Sequence, residues 1–312
     1  MTANSARRWV AVVFLCAFVA WSGCGDDTLD PASGPRNPAT GPSGGPFQTV
    51  AIVVLENQSF EDVMASMPYF TQLAFDFGLA TNFFANTHPS ISNYFMLTTG
   101  DLITRDNNFN GVVTIDNVVR RLTEEGKTWR VYAQSIPSIG FLGDAYPYVK
   151  RHNPFAYFSD VVNTPALQAN IVPLTQLAAD TATANLPNYM FIIPDQHHNA
   201  HDCPPERPNC TKQDRLRIAD NFLRENIDPL INSPAFQDVG VLLITWDEGD
   251  LSDVRGGGGR IAVSVVSTRA RRGFQSNTFF QHENALRFTM DAIGAEVPSA
   301  AAGVAGMNEF LQ

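Results

Sequence analysis

The sequence is poor in cysteine, in histidine and in positive charge. Its 312 residues include four cysteines and six histidines, and 31 acidic side chains outnumber 21 Lys and Arg residues, which gives a net charge of −10 at pH 7. Proteins that bind nucleic acid normally present a basic surface, so this class is disfavoured. An acidic surface also repels anions, so an anionic ligand would need a bound metal ion or a few local cations to hold it.

The sequence also lacks an apolar run long enough to cross a bilayer comfortably. Two arginines precede an apolar segment, 9–21, which is followed by two small residues and Cys24. This pattern predicts an export signal over residues 1–24 rather than a transmembrane anchor. The small residues before Cys24 resemble a bacterial lipobox, which predicts a lipid anchor on Cys24 and a location in the bacterial cell envelope, in the periplasm or on the outer surface. Trp21 stands where a lipobox usually has leucine, so cleavage without lipidation is the alternative.

Only two cysteines remain beyond this leader. Cys203 and Cys210 flank a proline-rich loop. A zinc knuckle would need four ligands, and the sequence has no second cysteine pair to supply them. In an oxidising compartment the two cysteines are expected to form a disulfide.

The chain then divides into a tether and one domain. Residues 25–46 are rich in Pro, Gly, Ser, Asp and Asn, which predicts a disordered tether. Residues 47–312 alternate buried-strand and helix patterns. Strands are predicted over 49–55, 129–133, 188–193, 239–245 and 261–266, and helices over 59–77, 115–125, 214–231 and 278–293. This alternation predicts an α/β fold, a three-layer α/β/α sandwich with a mostly parallel central sheet.

Acidic residues follow three of the predicted strands. Glu56 and Asn57 follow the first strand, Asp195 follows the third, and Asp247 and Glu248 follow the fourth. Ligands of open α/β sheets bind beyond the carboxyl ends of the strands, so these groups are expected to meet at one edge. Each acid alone could be a helix cap or a solvated loop residue. Several carboxylates crowded together would repel one another, so the cluster predicts a metal ion.

Histidines indicate which metal to expect. His197, His198 and His201 lie in one loop directly after a predicted strand. Mixed histidine and carboxylate ligands favour Zn²⁺, Mn²⁺ or Fe over Mg²⁺ or Ca²⁺. His152, beside two basic residues and away from any strand end, is instead predicted to be a surface or hydrogen-bonded loop residue. His88 lies close to a serine of interest and either contacts a bound anion or braces the turn.

That serine is Ser90, at the predicted start of a helix that ends near Gly100. From local pattern alone, Ser90 is a helix N-cap. A hydroxyl at this position also lies where backbone N–H groups and the helix dipole favour a phosphate group. Beside a metal ion the same hydroxyl would ionise more easily and become a nucleophile. Asn93, one turn further on, could donate a hydrogen bond to a phosphoryl oxygen.

Taken together, these segments resemble the bacterial phosphoesterase family that contains phospholipases C and acid phosphatases. The matching segments appear in family order across nearly all of residues 48–294. They are Glu56-Asn57-Gln58-Ser59-Phe60, His88-Pro89-Ser90 with Asn93, Pro194-Asp195 through His201-Asp202, Thr245-Trp246-Asp247-Glu248-Gly249, the glycine-rich turn and strand 256–267, and His282. The resemblance implies an alkaline-phosphatase-like α/β/α sandwich and a covalent phosphoseryl intermediate.

The resemblance also implies roles for individual residues. Ser90 would be the nucleophile, and Asn93 and His282 would assist at the phosphoryl group. One divalent metal ion would be held beside Ser90, and a second ion or a cationic phosphate cradle would lie nearby. The ligands of the first would be Glu56, Asn57, Asp247 and Glu248, and those of the second Asp195, His201 and His282; His88 and His198 would contact substrate.

Departures from the family pattern leave alternatives open. Ser92 replaces a proline, which affects the turn but no reacting group. Ala200 replaces an acid of the histidine loop, and Glu56 with Asn57 stands where superfamily relatives with two zinc ions have Asp, so a single-metal site is the alternative to two.

The favoured function is acid-phosphatase-like hydrolysis of phosphate esters; a phospholipase C or another phosphodiesterase is the alternative within the family, and an aromatic-rich stretch, 132–158, could line a lipid path. A sulfatase is disfavoured because the segment at Ser90 lacks the proline and arginine that its modified nucleophile needs. A non-catalytic, ligand-binding surface lipoprotein is the alternative from another class.

Overall fold

The computed structural model describes residues 45–312. The predicted export signal, Cys24 and the tether up to residue 44 lie outside the described residues. Gly45 and Pro46, which the sequence assigns to the tether, contact the domain. The Arg269 guanidinium donates a hydrogen bond to the Pro46 carbonyl, and a Cβ at Gly45 would lie 2.1 Å from the Gly294 nitrogen. Gly45 and Pro46 therefore pack against the domain.

Eight strands form one sheet in the described chain. They are β1 (Thr49–Leu55), β2 (Gly78–Phe84), β3 (Trp129–Ala133), β4 (Ile171–Pro173), β5 (Tyr189–Ile193), β6 (Gly240–Trp246), β7 (Arg260–Val266) and β8 (Phe274–Ser276). Their spatial order is β4-β3-β5-β1-β6-β7-β2-β8, and β7 runs antiparallel to both of its neighbours. The other pairings are parallel, so the predicted mostly parallel sheet is confirmed.

Helices cover this sheet. They are α1 (Phe60–Ser66), α2 (Pro68–Asp76), α3 (Ser90–Thr99), α4 (Val118–Glu124), α5 (Ser159–Val162), α6 (Pro165–Gln168), α7 (Thr175–Ala182), α8 (Lys212–Phe222), α9 (Asp228–Ile231) and α10 (His282–Ala292), with short 3₁₀ turns between some of them. Every residue of β1 and β6 is buried, so both faces of the central sheet are covered, as in the predicted three-layer sandwich. Within residues 45–312 no helix is both long and apolar enough to traverse a bilayer.

The predicted helix over 59–77 is two helices in the structure. α1 ends at Ser66 and α2 begins at Pro68, because proline suits the first position of a helix and cannot donate a hydrogen bond within one. The predicted helix over 214–231 is likewise divided, with a π-helical turn at Leu223–Ile227 between α8 and α9. The prediction lacks β2, β4 and β8. The last two have three residues each and are too short to show a pattern, and β2 is only partly buried and has no continuous apolar run.

The pairing of β1 with β6 brings the predicted acidic residues together. Leu55 pairs with Trp246 where the two strands end, so Glu56 and Asp247 leave the sheet side by side. The Asp247 N–H continues the ladder by donating to the Leu55 carbonyl at 2.9 Å. β5 pairs with the opposite side of β1 and leads directly to Asp195. The three acid-bearing segments therefore meet at one edge of the sheet, as predicted.

The loop between β5 and α8 carries the predicted disulfide. Cys203 and Cys210 are bonded, with their Cα atoms 5.5 Å apart. The cross-link closes the proline-rich loop just before α8, whose first turn is fixed by a capping box between Thr211 and Asp214.

Candidate active site

Three carboxylates are buried together beyond the ends of β1 and β6. Glu56, Asp247 and Glu248 are 0%, 0% and 1% exposed. In the described chain none of them forms an ion pair with Lys or Arg; His88 lies beside Glu248 and His152 beside Glu56. Buried charges of one sign repel each other and lose their hydration. The cluster therefore needs protons or a cation to be stable.

The pKa values of all three carboxyl groups are raised. Burial is the largest cause in each case. The Asp247 charge raises the pKa of Glu56 further, and together with burial it raises the pKa of Glu248 to about 9. At neutral pH the cation-free cluster therefore retains protons that ordinary carboxyl groups would have lost.

We expect the cation-free protein to be most stable in mild acid. Because the folded state holds the Glu248 proton more tightly than the unfolded chain does, stability is full below the ordinary pKa of 4.5 and falls as the pH rises toward about 9. The loss should exceed about 1.4 kcal/mol, the value of one pKa unit. Urea unfolding between pH 4.5 and 9 in excess chelator would measure it. Glu248→Gln, which keeps the shape without the charge, should flatten the profile, and an equally steep profile in that variant would contradict this assignment.

Ser90 lies against the carboxylates at the start of α3. Its Oγ is 3.3 Å from Oε2 of Glu56 and 3.4 Å from Oε1 of Glu248. Pro89 occupies the cap position and has no capping side chain, so the interpretation of Ser90 as an N-cap is wrong. The hydroxyl instead faces groups that can accept its proton, which is the arrangement of an activated nucleophile.

Asn57 links two of the carboxylates. Its backbone N–H donates to Oδ1 of Asp247 at 3.0 Å, and its Nδ2 donates to Oε1 of Glu248 at 2.5 Å. The residue has φ 47°, a left-handed conformation that asparagine tolerates better than most side chains. This turn directs both donors into the cluster.

Two acceptor oxygens of the cluster have no donor in the described chain. They are Oδ1 of Asn57 and Oδ2 of Asp247, and both are buried. Carboxylate and carboxamide oxygens are ordinary ligands of divalent cations, so the donor chemistry here fits such an ion. Within residues 45–312, no three His, Cys, Asp or Glu side chains already converge on one point in the way that a bound metal ion requires.

The structure corrects the prediction for His152, which is buried rather than on the surface. It is 1% exposed and its ring stacks on that of Tyr94, with 5.1 Å between centroids and 11° between planes. Its Nε2 is 3.3 Å from Oε1 of Glu56 but is not aligned for a hydrogen bond. Burial lowers its pKa well below the ordinary value, so the ring is neutral. The basic neighbours of His152 misled the sequence analysis; the aromatic residues that follow, 154–158, were the signal that this segment turns inward.

Tyr94 is a site residue that the sequence analysis missed. Its hydroxyl donates a hydrogen bond to Oε1 of Glu56. Positions four apart lie on the same face of a helix, so Tyr94 and Ser90 both point at Glu56 from α3. That spacing was the available signal. The hydrogen bond favours the ionised form of Glu56 and partly offsets the effect of burial on its pKa.

His88 and Asn93 support the turn that carries Ser90. The His88 ring bridges Oε2 of Glu248 and the Asp253 carbonyl, at 2.9 Å each. The Asn93 side chain accepts from the N–H groups of Asn86 and Thr87 and donates to the Thr87 carbonyl at 2.8 Å. Its Nδ2 also lies 3.5 Å from Oε2 of Glu248. Both side chains border the site, and the expected substrate contacts remain predictions.

The histidine loop packs beside Glu56 without joining the carboxylate cluster. Asp195 accepts hydrogen bonds from the Ser135 hydroxyl at 2.6 Å and pairs with Nδ1 of His198 at 2.7 Å. The His198 contact is one of the causes that lower the pKa of Asp195, and it raises the pKa of His198. His201 pairs with its neighbour Asp202 at 2.7 Å. The His197 ring, which is nearly buried, lies edge-on to Tyr146.

His282 lies at the start of α10 and is fully buried. Its Nε2 donates to the Asp247 carbonyl at 2.6 Å, which fixes the backbone of the carboxylate loop. Burial lowers its pKa to about 4, so the ring is neutral, and its Nδ1 has no partner in the described chain. Asp195, His201 and His282 each have a different partner, and the expected second metal site remains a prediction.

Known structures share this architecture. A protein of the alkaline phosphatase superfamily from Vibrio parahaemolyticus superposes with a TM-score of 0.58 at 13% identity, over 83% of this chain and 69% of that one. This likeness shows the fold of that superfamily.

Two phosphatases are more similar to the chain in sequence than this structure is. A phosphate-repressible acid phosphatase from Penicillium chrysogenum is 28% identical over 258 residues, covering 80% of this chain and 59% of that protein. A phosphatidylinositol-3-phosphatase from Mycobacterium tuberculosis is 29% identical over 210 residues, 65% of this chain and 64% of that protein. The chain thus spans under two thirds of the length of these relatives. The model of the Phosphoesterase family matches residues 64–294, and the chain belongs to that family.

Proposed function

We propose that the protein is a metal-dependent phosphomonoesterase that uses Ser90 as its nucleophile. The observation that supports this most is the Ser90 hydroxyl lying within 3.4 Å of two buried carboxylates at the carboxyl edge of the sheet. Membership of the Phosphoesterase family supports the reaction class, and the names of the two relatives given above favour monoesters.

Hydrolysis would proceed in two displacements at phosphorus. Ser90 Oγ forms a bond to phosphorus as the ester P–O bond breaks, and the hydroxyl proton passes to Glu56 or Glu248, whichever is ionised. The leaving oxygen takes a proton from solvent and departs as an alcohol. Water then attacks the phosphoserine, which releases phosphate and returns a proton to Ser90. The positive end of the α3 dipole would stabilise the phosphoryl oxygens.

One divalent cation would be held by oxygen atoms of the carboxylate cluster. Its ligands would be Glu56, Asn57, Asp247 and Glu248, the groups that bear the raised pKa values and the unsatisfied oxygens. Such an ion supplies positive charge that favours an ionised serine and neutralises the phosphoryl group. Of the ions expected from the sequence, Mn²⁺ suits an all-oxygen donor set best. Asp195 and His201 are already paired with His198 and Asp202, whereas the unsatisfied oxygens lie on Asn57 and Asp247, so we propose one cation rather than two.

The disulfide favours an oxidising compartment and so an exported protein. We propose that residues 1–24 direct export and that Cys24 carries the lipid anchor. Mass spectrometry of the membrane fraction would find a diacylglyceryl adduct on Cys24 if this is right, and an unmodified mature terminus would refute the anchor.

The substrate class is tested by three chromogenic esters assayed side by side with added Mn²⁺. We expect p-nitrophenyl phosphate to be hydrolysed with the highest kcat/KM, ahead of bis-p-nitrophenyl phosphate and p-nitrophenyl phosphorylcholine. A higher value for either diester would replace the phosphatase assignment with a phosphodiesterase or phospholipase C. No hydrolysis of any of the three by folded, cation-loaded protein would refute an esterase altogether.

Tyr94→Phe tests how the cation site is supported. Removing the hydroxyl deprives Glu56 of a donor that favours its ionised form, so we expect Mn²⁺ affinity to fall by roughly ten- to a hundredfold. Titration calorimetry at pH 7 would measure this. Tyr189→Phe is the matched control, since that buried hydroxyl lies on β5 and has no hydrogen-bond partner in the described chain. Equal affinities for the two variants would contradict the role of Tyr94.

A further inference from the structure

A polar cavity with two basic side chains lies near the first turn of α3, the helix that begins at Ser90. Its volume is about 470 Å³, and its wall includes Asn107, Asn110, Asp144, Lys150, Arg151 and Tyr157. The mechanism above uses none of these residues. The proposed reaction at Ser90 therefore does not account for the charged and amide groups of this cavity.

Two connections join this cavity to the active site. Oδ1 of Asn107 accepts a hydrogen bond at 3.3 Å from the N–H of Ile91, the residue after Ser90. Arg151 directly precedes His152, whose ring lies 3.3 Å from Glu56. One wall of the cavity is thus attached to the first turn of α3, and the other is continuous in sequence with a residue that contacts the carboxylate cluster.

The cations in this wall are not neutralised by contacts with carboxylates in the described chain. The Lys150 ammonium donates to Oδ1 of Asn110 at 2.8 Å and lies 4.4 Å from the centre of the Tyr157 ring. Asp144, the acid in the wall, accepts from the backbone N–H of Lys150 at 2.7 Å rather than from its ammonium group. Partial burial lowers the pKa of Lys150. Weakly hydrated cations of this kind attract an anion more strongly than fully solvated ones do.

The other groups in the cavity wall can recognise features of a ligand besides its negative charge. Asparagine amides donate and accept hydrogen bonds, so they can recognise hydroxyl groups. The partly buried Phe109 ring, which stacks on the buried Tyr157 ring at 5.8 Å, adds an apolar side. We propose that this cavity is a leaving-group subsite, which binds a second anionic group carried on a hydroxylated substrate such as a sugar bisphosphate. The proposal rests on the proposed function, because it assigns the reacting phosphate to Ser90.

The subsite is tested by calorimetric measurement of ligand binding to a variant that cannot hydrolyse its substrate. In Ser90→Ala protein with Mn²⁺, we expect fructose 1,6-bisphosphate to bind at least about tenfold more tightly than fructose 6-phosphate. A tenfold difference is what one charge-assisted hydrogen bond to the second phosphate would contribute. Adding Lys150→Met or Arg151→Met should remove most of this preference. Adding Arg217→Met, an exposed cation on α8, should leave it unchanged. Thermal melts would establish that each variant is folded.

Wild-type hydrolysis of p-nitrophenyl phosphate, measured in parallel, separates this proposal from the proposed function. A binding preference that depends on Lys150 or Arg151 supports the subsite even if wild-type protein hydrolyses nothing, in which case only the phosphatase assignment fails. Equal binding of the two sugar phosphates, or a preference that survives both substitutions, overturns the subsite even if the chromogenic ester is hydrolysed.

Discussion

Ser90→Ala should lower kcat for p-nitrophenyl phosphate by roughly three orders of magnitude or more, as removal of a nucleophile does in other covalent hydrolases. The fold should persist, because the Ser90 hydroxyl makes only two long contacts and its loss costs about 1 kcal/mol or less. Steady-state rates and a thermal melt, measured with added Mn²⁺, would show both effects.

Ser92→Ala is the matched control for that variant. Ser92 is also a buried serine of α3, but its hydroxyl donates to the Thr104 carbonyl and faces away from the carboxylates. We expect it to lose about 1 kcal/mol of stability while retaining most of its activity. If Ser90→Ala and Ser92→Ala kept similar activity, a different group would have to be the nucleophile.

Removal of divalent cations should have the second-largest effect. Excess chelator should reduce hydrolysis to background, and readdition of Mn²⁺ should restore it. Independently of activity, Mn²⁺ at about 100 times its dissociation constant should stabilise the protein by about 2.7 kcal/mol. At one fixed Mn²⁺ concentration the shift should be larger at pH 8 than at pH 5, because the cation must displace protons that raised pKa values hold on Glu56, Asp247 and Glu248.

Two substitutions of buried aspartates separate site binding from general effects of the ion. Asp247→Asn should abolish the Mn²⁺-dependent thermal shift. Asp220→Asn should keep it, because Asp220 is also buried but accepts hydrogen bonds from the backbone of Tyr69 and Phe70, between α8 and α2. Full activity in excess chelator, together with no thermal shift in wild-type protein, would refute the cation site.

The elements that could be predicted from the sequence are those with a continuous apolar pattern. The predicted bounds of β1 and β3 coincide with the structure, and those of β5, β6 and β7 differ by one residue at one or both ends. The alternation of strands and helices then predicts parallel pairing of the buried strands. Parallel pairing in turn predicts that Glu56, Asp195 and Asp247 meet at one edge of the sheet. The local sequence pattern therefore predicts most strands of the central sheet and the edge at which the candidate site lies.

Side-chain direction could not be predicted in the same way. The sequence shows that His152 has two basic neighbours but not that Tyr94 offers its ring a stacking partner, because the two residues are far apart in the chain. Likewise, Asp195, His201 and His282 all lie near strand or helix ends, yet each has a different partner: Ser135 and His198, Asp202, and the Asp247 carbonyl. Such pairings depend on tertiary packing, which spacing alone does not determine.

The central position of β1 has a consequence for the order in which the protein matures. Asn57 and Asp247, which contact each other, are 190 residues apart, so the proposed active site cannot form in an emerging or partly folded chain until β6 has docked beside β1. Such distant pairing is slow, since the loop between the strands must close first. Activity should thus appear late and all at once during refolding, after most helical signal has returned, and a nascent chain would be unable to hydrolyse esters prematurely.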